Sequence, residues 1–70
     1  DTIIFFFFDL ARAMKAIATL PHNLREVLVL RTIQDLPEAD TATILGISGK
    51  AVETRLYRAR KQLNEILGAA

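Results

Sequence analysis

The chain contains no cysteine and no tryptophan, and it has one histidine, one tyrosine, two prolines and three glycines in seventy residues. Without cysteine there is no disulfide framework, no thiolate nucleophile and no Cys-ligated zinc. His22 alone cannot build a metal site. No other grouping suits general acid–base or nucleophilic catalysis, so no metal, no cofactor and no enzymatic activity are expected. A long hydrophobic run is also missing. The longest is Ile3 to Phe8, far short of the roughly 20 residues that span a bilayer. That run has neither the basic flank nor the small-residue cleavage site of a signal peptide. All four phenylalanines fall within it; exposed, it would be an aggregation hazard. Residues 1–8 are therefore set apart as a leader without assigned function, a strap on a hydrophobic groove being one ordinary explanation. Residues 9–70 form one domain, the most that this length allows.

Charge of either sign is nearly balanced overall, at net +1, but it is unevenly placed. Between Lys50 and Lys61 stand five of the nine basic residues against one acid, Glu53. This segment carries net +4 and the remainder net −3. A near-neutral chain with its positive charge gathered on one segment points to a polyanionic partner.

Hydrophobic spacing gives the elements. Asp9 is placed as an N-cap, followed by Leu10, Met14, Ile17 and Leu20 at helical intervals. Leu20-Pro21 ends that helix, because proline disfavours helical geometry in the residue before it. A second helix opens at His22 or Asn23 and runs to about Gln34. Its Leu24, Val27, Leu28, Leu30 and Ile33 are apolar around most of the circumference, which suits the middle of a bundle. Asp35-Leu36-Pro37 is the next break, with Pro37 in the first turn of a third helix over about 37–45. Glu38 and Asp40 there suit the positive end of the helix dipole. Gly46 supplies a left-handed residue at the helix end. Ser48 caps a fourth helix that runs to about Leu67 and closes at Gly68. The expected fold class is all-α: four helices, no strands.

Helix, glycine turn, helix is the plan of a helix-turn-helix. Its close crossing needs a small residue on the first helix, glycine in the turn and an apolar residue facing back from the second. Ala42, Gly46 and Val52 meet these requirements, and Leu45 and Ile47 fill the wedge. Thr41 departs, since a buried aliphatic is expected there; its methyl would still pack. On the fourth helix Val52, Leu56, Ala59, Leu63 and Ile66 or Leu67 form the inward stripe. Lys50, Glu53, Thr54, Tyr57, Arg58 and Lys61 are left as candidate DNA contacts. Residues near the start of that helix would enter the major groove, where base edges are distinguishable. Arginine suits guanine, whereas Arg60 and Lys61 farther along suit phosphates. Glu53 either accepts from the amino group of cytosine or pairs with Lys50 along the helix. Tyr57 either stacks on the sugar-phosphate or covers the edge of the domain. Gly46, Gly49 and Lys50 do not make a phosphate-binding loop, because Ile44 and Ala51 occupy the places of its first glycine and its hydroxyl.

Several stretches together resemble a known family. They are Leu20-Pro21, Leu-Arg-Glu-Val-Leu-Val-Leu-Arg at 24–31, Leu-Pro-Glu-Ala-Asp-Thr-Ala-Thr-Ile-Leu-Gly-Ile-Ser at 36–48, and Ala-Val-Glu-Thr-Arg-Leu-Tyr-Arg-Ala-Arg at 51–60. Over about residues 10–67 the chain is similar to region 4 of bacterial RNA polymerase sigma factors of the extracytoplasmic-function (ECF) group. The resemblance implies a winged-helix-like, sigma region 4 type of helix-turn-helix domain in the bacterial cytoplasm. It implies that the last helix reads double-stranded DNA at the −35 promoter element in transcription initiation. The implied protein partners are the flap of the polymerase β subunit and, in some cases, an anti-sigma factor. Glu53, Thr54, Tyr57 and Arg58 fall on the family's usual contact positions, although the family commonly has a basic residue where Glu53 stands. The part that binds the −10 element is absent, so a larger parent protein is expected. Two alternatives remain at this stage: the DNA-binding domain of a LuxR-type response regulator, and a sigma-like mimic that binds an anti-sigma factor and not DNA. The second should have lost its basic face.

Overall fold

The computed structural model describes residues 2–68, and side chains from Asp9 onward. Helix α1 spans Thr2–Ala18. Helix α2 spans His22–Leu28 and continues directly into a π-wound turn, Val29–Ile33. Helix α3 spans Glu38–Leu45 and helix α4 Gly49–Gly68. Among the described residues there is no strand, and no helix is long and apolar enough to cross a membrane.

The breaks fall where local chemistry demands them. Pro21 and Pro37 each stand just before a helix with extended ψ values of 148° and 158°. Each contributes its carbonyl to the first turn: Arg25 N–H donates to Pro21 O at 2.9 Å and Thr41 N–H to Pro37 O at 3.0 Å. Proline lacks an N–H, and the residue before a helix needs none. Pro37 is thus one position outside the helix rather than in its first turn. Gly46 has φ 68° and ψ 34°. It lets Ile47 N–H fold back to Ala42 O at 3.0 Å and Gly46 N–H to Thr43 O at 3.3 Å, which satisfies carbonyls otherwise orphaned at the helix end. Ser48 Oγ accepts from Ala51 N–H at 3.1 Å, the side-chain cap expected of serine.

Two further expectations need correction. Asp9 does not cap the first helix but lies within α1, which begins at Thr2. No glycine or proline stands between residues 2 and 20, so nothing stops the helix from extending upstream of Asp9; a cap residue marks a start only when the chain before it turns away. How the side chains of the apolar run at 3–8 are covered lies outside the described residues. The second correction is internal to the long middle helix. Its last turn is π-wound, with Gln34 N–H donating to Val29 O at 3.0 Å.

The core is small and continuous. Leu20, Leu24, Val27 and Leu28 meet Val52, Leu56 and Ala59, all buried, with Ile17, Ala42, Leu45, Ile47 and Leu63 packed around them. Helix α2 lies chiefly on α4, and α3 also rests on α4. Thr41 is the exception to the apolar rule: it is fully buried, and its hydroxyl donates to Pro37 O at 3.1 Å. The threonine thus takes the aliphatic position without leaving an unpaired hydroxyl. At the other end of the domain, Arg12, Lys15, Ala16, Thr19, Ile66 and Leu67 line a groove of about 220 Å³ between α1 and the end of α4, its walls almost wholly apolar.

Candidate nucleic-acid interface

Helix α4 places its side chains by its period. At about 100° per residue, Val52, Leu56, Ala59 and Leu63 share one narrow sector, and Lys50, Thr54, Tyr57, Arg58 and Lys61 share the opposite one. The first group faces the core; all five of the second are exposed. From Lys50 to Lys61 the stripe is about 16 Å long, and it carries three positive charges and no acid. The acid Glu65 falls in the same sector four residues later and ends it. Tyr57, 67% exposed, stands out into solvent and does not lie over the core edge.

Glu53 and Arg60 are exposed too, but they lie on the flank of the stripe, roughly 40–60° beyond Tyr57. Among the described residues His22 Nε2 lies 3.3 Å from Glu26 Oε2, and no ion pair joins Lys50 to Glu53. His22 stands at the start of α2, exposed and also 3.3 Å from Arg25. Arg55 points toward the other flank and is half-buried, so the basic cluster counted along the sequence is not all on one face.

The three packing positions of the turn come together as their types require. Ala42 is half-buried, Gly46 is left-handed and Val52 is wholly buried. The crossing gives Glu38, expected only as a first-turn acid of the third helix, a second role. A Cβ on Gly49 would stand 3.1 Å from Glu38 Oε2. The Glu38 carboxylate, from the first turn of α3, therefore lies over the N-terminus of α4, where a negative charge is favourable. Helix α4 has no acid of its own in its first turn; α3 supplies it. The only sequence signal was glycine where helix propensity disfavours it.

This arrangement, an exposed basic stripe on a helix held by a tight turn, suits the width of a DNA major groove. Comparison with known proteins gives the same direction. The family described as sigma-70, region 4, matches residues 10–63. RNA polymerase sigma factor CnrH of Cupriavidus metallidurans is 41% identical over 61 residues, covering 87% of this chain and 32% of the relative. ECF RNA polymerase sigma factor ShbA of Streptomyces griseus is 41% identical over 58 residues, covering 83% of this chain and 30% of the relative. RNA polymerase sigma factor NccH of Alcaligenes xylosoxydans is 36% identical over 59 residues, 84% of this chain and 32% of the relative. The chain thus spans about a third of the length of the curated relatives it matches. No solved structure matches it at comparable stringency. With its four helices, its glycine turn and this match over most of its length, the chain belongs to the sigma-70 region 4 family.

Proposed function

We propose that this domain recognises the −35 promoter element and docks on RNA polymerase, as part of an ECF sigma factor acting in transcription initiation in the bacterial cytoplasm. The observation that carries the reading is the acid-free stripe Lys50, Thr54, Tyr57, Arg58 and Lys61, presented by the second helix of a helix-turn-helix. Lys50 and Thr54 sit nearest the helix start and face base edges, with Glu53 on their flank; Tyr57 stacks on the sugar-phosphate, and Arg58 and Lys61 anchor on phosphates, which fix register. The chemistry required is recognition without catalysis. Retention of the basic stripe argues against a mimic that binds only an anti-sigma factor, since such a domain has no use for it. An anti-sigma factor would act by covering the stripe or the docking surface. For docking on the β flap, the apolar groove between α1 and the end of α4 offers a concave surface, with Arg12 and Lys15 among its lining residues.

The test is salt dependence of duplex binding. Arg58→Ala and Lys61→Ala should each reduce the slope of log affinity against log salt by about one, the signature of one lost phosphate contact. Unchanged slopes in both variants would remove the stripe from the interface.

A further inference from the structure

The corner between the π turn and α3 is held by more bonds than a turn of this length needs. Asp35 has φ 55°, a left-handed conformation that residues other than glycine adopt reluctantly. On one side of it Gln34 N–H donates to Val29 O at 3.0 Å; on the other, Leu36 N–H donates to Leu30 O at 2.9 Å. That second bond reaches back six residues, one more than in the usual left-handed helix ending, because the last turn is π-wound. The Leu36 carbonyl lies one residue before the first acceptor of α3, so no helical N–H reaches it. Arg31 fills the gap: its Nη1 donates to Leu36 O at 2.7 Å. The same guanidinium leaves its buried Nε without a partner. A lysine or methionine at this position would leave no such buried N–H unpaired. What arginine adds is the grip on Leu36.

Two residues beyond that carbonyl is Glu38, whose carboxylate lies over Gly49 at the start of α4. Helix α2 meets the part of α4 around Val52, Leu56 and Ala59. The end of α4 that meets base edges is buttressed by α3. A continuous line therefore runs from Arg31 through Leu36, Pro37 and Glu38 to the first turn of α4. We propose that Arg31 is a positioning residue for sequence reading: its hold on the Leu36 carbonyl sets Glu38 against α4 and fixes the first turn of that helix. The proposal rests on the DNA-reading assignment above and contributes no DNA contact of its own.

Its test compares affinity of the full chain for its selected duplex and for a scrambled duplex of equal length, with folding checked by circular dichroism. Arg31→Met should lower selected-site affinity roughly tenfold, the scale of one lost charge-assisted hydrogen bond, and leave scrambled-duplex affinity within about twofold. Its salt slope should stay at the parent value, because no phosphate contact is removed. Arg31→Lys, with one donor on a differently shaped arm, should fall between the two. Arg25→Met is the control. Arg25 makes a similar bond, Nη1 to Ala18 O at 3.1 Å, but at the remote α1–α2 corner, and its loss should leave the selected-to-scrambled ratio unchanged. A folded Arg31→Met with the parent ratio overturns the proposal, as does a salt slope lowered by about one, which makes Arg31 a phosphate contact. If the Met variant does not fold, a parental ratio in Arg31→Lys overturns it equally. Failure of the unsubstituted chain to distinguish the two duplexes overturns the DNA-reading assignment itself.

Discussion

Thr41 illustrates how one residue can satisfy a position written for another type. Its hydroxyl donates to Pro37 O, but that carbonyl already accepts from Thr41 N–H at 3.0 Å. Removing the hydroxyl while keeping the shape leaves no group unpaired, and such exchanges are nearly neutral or stabilising. Thr41→Val should therefore leave stability unchanged or raise it by up to about 1 kcal/mol, read as the midpoint of urea unfolding. Gly46 is the opposite case. Nothing lies within 4 Å of a Cβ added there, so space is not the issue; φ of 68° is. Gly46→Ala should cost about 1 kcal/mol, lowering Tm by roughly 4–8 °C in a domain this small. These positions were legible in the sequence because their chemistry is local. Proline sets its own φ, glycine its own turn, and Ser48 reaches only three residues. Arg31 was not legible, since its partner Leu36 is found only once the chain has turned at Asp35.

At the scale of elements, α4 was the most readable part of the chain. Its inward and outward faces follow from a single period, and the six candidate contact residues all emerge exposed. What the period does not give is the division of the basic cluster, with Arg55 half-buried on one flank and Arg60 on the other. The π turn was hidden for a different reason. Val29 to Ile33 carry ordinary helix-compatible side chains, and the extra residue per turn is fixed by where Gln34 and Leu36 find acceptors. The start of α1 lies upstream of the cap signal at Asp9 because no breaker precedes that residue. Helix α4 depends on its seat at Val52, wholly buried where it joins the core to Ala42 and Ile47 of the turn. Val52→Ala should cost about 2 kcal/mol through lost burial and the cavity left behind. Thermal unfolding would register it, and DNA affinity would fall only as the folded fraction falls.

For the molecule as a whole, the proposed functions occupy separate surfaces. The basic stripe runs along the N-terminal two-thirds of α4, whereas the apolar groove lies between α1 and the end of α4. A charge placed in the groove should therefore separate the two activities. Ile66, 43% exposed on the groove wall, is the natural site. Ile66→Glu should weaken binding to polymerase core at least about tenfold, the effect of placing one charge in an apolar contact, while duplex affinity stays within about twofold. Loss of both together would join the surfaces into one. The most direct measurement of the central claim is selection of binding sites by the full chain from a random duplex pool, at low and then near-physiological salt. Base reading by the start of α4 predicts enrichment of one short motif, abolished in Thr54→Ala, whereas Arg58→Ala weakens binding and keeps the motif. Salt-sensitive retention of the pool without any enriched motif, or no retention at low salt, would contradict it.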